Sequence, residues 1–409
     1  MKKYYFKLKE DNIFGQPNEN KINKFSILKL NKKILLLLKF LFVLIIIKNM
    51  YLQKLNKKND NIVKINENLL KRKIKESYEL NGHVNINYIE SKITNGRFWE
   101  KNKDILNEIN IGIQLDPSYV LRGMMTLASI MDSSKPKTKL RFHIAVVLSF
   151  SIDNMLKIYS LREKIRNDVE FNYYNAERVE TELKDLNSKG PGAVAKLLLP
   201  ELIEDNFEKL IIFDTGDLLV LRDLSTMYNL NMNEYLYLGI PGGKIGKYAK
   251  ISKKKYNRYI NTGSMLVNIK KVKKEKIYEK CVRHKKEYNG SNGDQDLLND
   301  IAFGEIGYLP MKFGIRSPYK NDLDSDKIIY NIPFHYLYNV SLKDNSSFIP
   351  KKINKIIQLG YNPIVIHQFN GKWMNGQGMT VYRRISQYYI KLAGIWDEIC
   401  IKYPGYCLK

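Results

Sequence analysis

From Ile105 onward, continuous apolar runs alternate with segments of helical periodicity, and this alternation narrows the possible folds most. Ile109 to Leu115 is an apolar-rich run ended by Asp116-Pro117. Leu121, Met124, Met125, Ala128 and Met131 then recur at i, i+3, i+4, i+7 spacing, which marks one face of a helix. Leu140 to Ser149 reads as a buried strand and Ile152 to Ile165 as a helix. Another helix is expected over about Ala193 to Leu202, then a strand from Leu210 to Phe213 that ends at Asp214. A short helix should follow Asp223, which suits an N-cap. Repeated strand–helix units imply an α/β domain whose mostly parallel sheet is covered on both faces. Such sheets bind ligands beyond the carboxyl ends of their strands. The polar residues placed there are Asp116, Tyr119, Asp214 and Asp217. No GxGxxG follows the first strand and there is no P-loop, which disfavours dinucleotide oxidoreductases and P-loop NTPases.

The segment before this domain has a different texture. Residues 1–33 are polar, rich in Lys and Asn and without apolar periodicity, as in a disordered tail. Ile34 to Ile47 is almost wholly Leu, Ile, Phe and Val, broken only by Lys39, and continues to Leu52. That is about the length of a membrane-spanning helix. Lys39 costs a few kcal/mol at mid-span, which the surrounding Leu and Ile offset and snorkelling reduces. A cleaved signal peptide fits poorly, because the polar region is long and no small-residue cleavage site follows. The expectation is a single signal anchor at 34–52 with the N-terminus cytoplasmic, then a Lys/Asn/Glu-rich stem over 53–104. Flanking lysines are similar in number on both sides and barely decide the orientation. Three sequons, at Asn289, Asn339 and Asn345, add nothing, since a chain this rich in Asn holds about three by chance.

The formal charge of +26 invites a nucleic-acid partner. The excess is almost all Lys, however, and Arg, the residue suited to bidentate base and phosphate contacts, is scarce. We therefore expect no nucleic acid, and rather an attraction to phosphorylated ligands or anionic membrane. Three cysteines make no disulfide framework and no zinc spacing. Cys400 and Cys407 pair if that end lies in an oxidising lumen, leaving Cys281 single; otherwise all three are ordinary thiols.

The chemistry centres on KLIIFDTGDLLVLRDLSTMY, residues 209–228. Two carboxylates at a strand end, Asp214 and Asp217, can hold a hard divalent cation whose other ligands are diphosphate oxygens. Both can equally cap backbone N–H groups of a turn beside Gly216.

This segment resembles the DxD region of the family 8 glycosyltransferases, the glycogenin-like and galactosyl-, glucosyl- or xylosyl-transferring enzymes with a GT-A nucleotide-diphospho-sugar transferase fold, which implies a Rossmann-like mixed sheet. The resemblance runs from about Asn110 to His367 through ordered motifs. INIGIQLDPSYV (109–120) resembles the first nucleotide-binding strand and implies Asp116 on the uracil or ribose and Tyr119 stacked on the base. GAVAKLLLPELI (192–203) resembles the helix before the DxD strand, with Lys196 where the family has a phosphate- or sugar-contacting Arg. YINTGSMLVNIKKV (259–272) resembles the strand lining the sugar pocket, with Asn261, Thr262 and Gly263. GDQDLLN (293–299) resembles the segment beside the donor sugar, with Asp294, Gln295 and Asp296. PIVIHQFNGKW (363–373) resembles the segment whose His completes the metal site, here His367, and whose Gly371-Lys372 meets the diphosphate.

By resemblance, the chain is a retaining transferase of a hexose or pentose from a UDP-sugar to a glycan or glycoprotein acceptor. Mn²⁺ or Mg²⁺ on Asp214, Asp217 and His367 is implied, with Thr215 and Gly216 at the nucleotide-sugar and Gln295, Asp296 and Asn261 nearest the reacting sugar. An anchored member of this kind works in the Golgi or endoplasmic reticulum lumen as a single-pass type II protein. The alternative is a degenerate GT-A domain that binds a glycan or protein without turnover. Two departures bear on this. The family pattern is Asp-x-Asp, whereas here Asp214 and Asp217 are three apart; counting back from Asp223-Leu224-Ser225 sets Thr215 on the first family Asp and Asp217 on the second. Residues three apart on a strand face opposite sides, so Asp214 joins Asp217 only if Thr215-Gly216 breaks the pleat. His367 is also followed by one residue more than usual before Gly371. Without the resemblance, His367 reads as an ordinary strand-end histidine.

Overall fold

Residues Asn107–Leu115 form β2, a strand in the middle of the main sheet that is buried on both faces from Ile109 onward. Ile109, Ile111, Ile113 and Leu115 point into one apolar core, while Asn110, Gly112 and Gln114 fall on the other face. In this computed structural model the described residues are 67–93, 107–186, 190–216, 218–232, 234–242, 258–288, 293–316, 364–367 and 380–407. All but Glu67 belong to the unit Asn68–Lys409.

The main sheet has eight strands in the order β1-β4-β3-β2-β5-β8-β7-β9. They are β1 His83–Asn85, β2 Asn107–Leu115, β3 Thr138–Val146, β4 Val169–Asn175, β5 Lys209–Phe213, β7 Tyr237–Pro241, β8 Ile260–Asn268 and β9 Ile306–Tyr308. Strands β4, β3, β2 and β5 are parallel neighbours; β8 runs against β5 and β7, and β1 runs against β4. The alternation led us to expect a mostly parallel sheet; the sheet is mixed, as the family resemblance implied, with parallel pairs at β4-β3, β3-β2, β2-β5 and β7-β9 and antiparallel pairs elsewhere. A second sheet joins β6 Leu218–Val220, β10 Ile315–Arg316 and β11 Val365–His367 in the order β10-β11-β6.

Two buried clusters cover the two faces of the main sheet. On one, the helix Val120–Ser133 carries Met124, Met125, Ala128 and Met131 inward, as their spacing required. Two of its polar residues, Thr126 and Ser129, are buried as well and satisfy β6: Thr126 Oγ1 donates to Leu218 O at 3.1 Å, and Val220 N donates to Ser129 Oγ at 3.0 Å. Buried edge amides of a short strand need such partners. On the other face, the helix Pro191–Leu202 lies close over β2, because a Cβ on Gly112 would stand 2.8 Å from Leu199 Cδ2.

Some boundaries differ from expectation for local reasons. The helix expected over Ile152–Ile165 breaks at Ser160 into Ile152–Tyr159 and Leu161–Lys164. The strand expected to reach Ser149 ends at Val146, since Leu148 and Ser149 turn left-handed (φ 56° and 51°). Their amides donate to Glu180 and Glu177, each at 2.7 Å. The stretch expected as stem contributes helical turns up to residue 81, β1 and the helix Ile86–Ile93 to the same unit as the sheet. Asn87 secures that addition: its Nδ2 donates to Val169 O and its Oδ1 accepts from Phe171 N. Three residues of strand are too few for a period-2 pattern to reveal. Among the described residues no helix is long and apolar enough to cross a membrane. The tail at 1–33 and the anchor expected at 34–52 lie outside the described residues.

Candidate active site at the carboxyl ends of β2 and β5

The strand order reverses between β2 and β5, since β2 leads to β3 on one side and β5 lies on the other. A crevice at such a switch point, beyond the strand carboxyl ends, is where open α/β sheets take ligands. Asp116 follows β2 and Asp214 follows β5, so both expected positions fall on it.

Asp116 is 8% exposed. Its Oδ1 accepts from Ser118 N at 2.8 Å and Ser118 Oγ at 2.5 Å, capping the single turn Pro117–Tyr119. A Cβ on Gly192 would lie 2.9 Å from Asp116 Oδ2, so this glycine lets the carboxylate rest against the first turn of the helix Pro191–Leu202. The positive end of a helix stabilises an anion there.

Asp214 is joined to two other motifs. Register carried on from Ile113↔Phe213 sets Gln114 beside Asp214, and Gln114 Nε2 donates to Asp214 Oδ1 at 2.9 Å. Lys196 Nζ donates to the same oxygen at 2.8 Å and lies 3.1 Å from Asp294 Oδ2. Burial by itself would lower the pKa of this ammonium, whose side chain is 3% exposed. The carboxylates of Asp214 and Asp294 outweigh it and hold Lys196 above the usual lysine range, fully charged. Two carboxylates and one ammonium leave the cluster net negative. Asp214 Oδ2 has no hydrogen-bond partner among the described residues, and Gln114 Oε1 is buried without one.

Thr215 and Gly216 end the strand. Gly216 has φ +81° and its N–H donates to Thr126 Oγ1 at 3.2 Å. The chain therefore turns from the main sheet into β6, where the sequence had left open a bulge in one continuous strand. Thr215 is turned inward, its hydroxyl donating to Gln114 O. Asp217, Gly371 and Lys372 lie outside the described residues, and of His367 only the backbone is described. Its register is informative: β11 runs against β6 with His367 opposite Leu218, so it sits at the Asp217 end of β6. Among the described residues no group of three His, Cys, Asp or Glu side chains forms a metal site.

The sugar-pocket motifs meet each other directly. Asn261 Nδ2 donates to Gln295 Oε1 at 2.8 Å, and Asn261 Oδ1 accepts from Gly263 N at 3.0 Å. Thr262 N donates to Gln295 Oε1 at 3.4 Å, and Gln295 Nε2 donates to Tyr259 Oη at 2.8 Å. The Tyr259 hydroxyl in turn donates to Asp296. Asn299 clamps the start of β8, accepting from Ile260 N and donating to Ile260 O at 2.7 and 2.9 Å. Gly263 O also accepts from Asp214 N at 2.9 Å, which ties this network to the carboxylate cluster.

Reading the sequence missed Gln114, Gly192, Tyr259 and Asn299. Gln114 carried a signal, as an amide near the carboxyl end of β2. A separate cavity bordered by Lys209, Met232 and Lys271 opens at the amino end of β5, the far end from Asp214. Its place excludes it from the switch-point crevice.

Comparison with known proteins identifies the family to which the fold belongs. The family model described as Glycosyl transferase family 8 matches residues 110–357. A "Putative glycosyltransferase" of Haemophilus influenzae is 30% identical over 139 residues, covering 32% of this chain and 41% of that one. "General stress protein A" of Bacillus subtilis is 26% identical over 118 residues, covering 28% and 41%. The chain thus spans about two-fifths of the length of these curated relatives. Among solved structures, galactosyltransferase LgtC with donor and acceptor sugar analogues is similar at 18% identity and TM-score 0.50, over 70% of this chain and 95% of that one. The bifunctional glycosyltransferase WbbM is similar at 15% identity and TM-score 0.52, over 78% and 58%. These structures share the fold, and the family match spans more than half of the sequence. The chain belongs to glycosyltransferase family 8.

Proposed function

We propose that this protein transfers a hexose or pentose from a UDP-sugar to a glycan or glycoprotein acceptor, with retention of anomeric configuration. The observation that carries the reading is Lys196, whose ammonium joins Asp214 of the DTGD turn to Asp294 of the DQD helix. Two motifs far apart in sequence thereby share one charged cluster at the switch point.

In this reading Asp116 and Tyr119 hold the uridine, and Thr215 and Gly216 shape the turn against the nucleotide-sugar. The donor set proposed for Mn²⁺ or Mg²⁺ is Asp214, Asp217 and His367, hard oxygens with one imidazole. Asp214 fits it, because Lys196 and Gln114 both engage Oδ1 and leave Oδ2. A divalent cation held there supplies a Lewis acid for the charge that develops on the departing diphosphate. Gly371 and Lys372 are proposed at that diphosphate. Asn261, Thr262, Gly263 and Asp294 border the donor sugar, with Gln295 and Asp296 nearest the reacting carbon. Gln295 is oriented from both ends, by Asn261 and by Tyr259, which suits a group that must be fixed before reaction.

One observation favours a second reading, a domain that binds without turnover. Thr215 stands at the first family Asp, and its hydroxyl is turned to Gln114 O. Placement in the Golgi or endoplasmic reticulum through an anchor at 34–52 is also proposed. The Cys400–Cys407 disulfide supports an oxidising compartment. A screen of UDP-sugars with Mn²⁺ tests the reading: one donor should be hydrolysed slowly and transferred to an acceptor, with loss of both in Asp217→Ala. Nucleotide binding without product from any donor and acceptor would leave the second reading.

A further inference from the structure

The assignment of Tyr119 to the base leaves Arg122 and the C-terminal ring of the chain without a role. Arg122 lies in the first turn of the helix Val120–Ser133. Its guanidinium stands 5.1 Å from the ring centre of Tyr119 and 5.3 Å from that of Tyr403. Nη2 donates to Tyr403 Oη at 3.1 Å, while the Nε–H is buried without an acceptor. The arginine makes no ion pair among the described residues, so two aromatic faces are its main company. Cation–π attraction on both sides fixes such a guanidinium, and through it both rings.

Two neighbours hold the arrangement in place. A Cβ on Gly216 would lie 2.6 Å from Arg122 Cβ, so the arginine stem packs directly on the turn that follows Asp214. Lys402 Nζ donates to Ser118 O at 3.0 Å, tying the residue before Tyr403 to the turn that carries Tyr119. The ring that presents Lys402 and Tyr403 is closed by the Cys400–Cys407 disulfide. Its far side is anchored by Tyr406, fully buried with its hydroxyl 2.6 Å from Ser386 Oγ.

We propose that Tyr403, presented by this disulfide-closed ring, is a positioning residue that acts through Arg122 on Tyr119 and sets how firmly the nucleoside end of the donor is held. This rests on the proposed contact of Tyr119 with the base. A ring fixed before binding loses less freedom on stacking, so the effect falls on affinity. Loss of ground-state binding raises the donor KM and leaves kcat unchanged.

The test uses the full chain and two probes, UDP with Mn²⁺ by calorimetric titration and uridine by competition. Tyr403→Ala should weaken both by a similar factor of about 10, the range of a well-placed cation–π contact. Tyr403→Phe keeps the aromatic face and should stay within about 3-fold of wild type. Reductant on the wild type, or Cys400→Ser with Cys407→Ser, should shift both affinities the same way as Tyr403→Ala. If Tyr403→Ala does not fold, the reduced wild type decides: unchanged affinities overturn the proposal. It also falls if Tyr403→Ala binds as wild type, or if UDP weakens while uridine does not, since Arg122 would then act on phosphate. A wild type that binds neither probe removes the base assignment itself; normal wild-type binding with unaffected variants removes only the role of Tyr403.

Discussion

Lys196 Nζ lies 2.8 Å from Asp214 Oδ1, deep under the turn where β5 gives way to β6. A lysine this buried stays charged only because Asp214 and Asp294 flank it. Lys196→Met leaves two carboxylates facing each other without a cation. That change should cost about 3 kcal/mol of stability in denaturant unfolding. Adding Asp294→Asn to Lys196→Met should recover part of the loss, so the two substitutions will not be additive. Simple additivity would mean that the three groups do not act as a cluster.

Asn261 and Gln295 offer a separate test of the sugar side. Gln295→Ala breaks bonds to Asn261 and Tyr259 that orient neighbouring strand and helix. Transfer should fall by about 100-fold through misplacement at the reacting centre, with donor affinity little changed. Single-turnover rates and UDP titration of the variant separate the two effects. A variant with normal rates excludes Gln295 from the chemistry.

His143 predicts how the fold responds to acid. It is fully buried, and burial chiefly, helped by Arg141 and His83, pushes its pKa down to about 3. Its ring nitrogens lie 2.9 Å from Tyr174 Oη and 3.1 Å from Asn110 Oδ1. Because the unfolded chain takes up this proton first, near pH 6.5, stability should fall as pH drops from about 6.5 toward 3. One proton gives a slope of about 1.4 kcal/mol per pH unit. Unfolding curves between pH 6.5 and 4 should show that slope reduced by about this amount in His143→Gln. An unchanged slope would mean that His143 is protonated in the native state.

Thiol counting checks the C-terminal ring. Burial, then Asp294, raises the Cys281 thiol to about 12, so it should be inert in the folded protein. With Cys400 paired to Cys407, alkylation should find no thiol in the native chain, a single one after unfolding without reductant, and all three after reduction. Three reactive thiols without reductant would show that the ring is open.

The parallel core of the sheet was legible because Ile109–Leu115 and Leu210–Phe213 are apolar runs closed by Asp, and period and punctuation survive in a single sequence. The edge strand β1 was not, as His83–Asn85 is polar and takes its structure from β4. In the candidate site, Asp116, Lys196, Asp214 and Asn261 stand in motifs that a single sequence displays. The partners that organise them were harder to see. Gln114 matters through a cross-strand register, and Tyr403 through a contact 281 residues from Arg122. Nothing local marks such pairings, since they are set by the tertiary fold.

A turn after β5 that holds a metal-bound nucleotide diphosphate will reveal itself in calorimetric titration of UDP with and without Mn²⁺. The wild type should bind UDP far more tightly with Mn²⁺ present, and Asp214→Asn, which keeps the size of the side chain, should lose that metal-dependent gain. UDP affinity indifferent to both the metal and Asp214 would contradict the account.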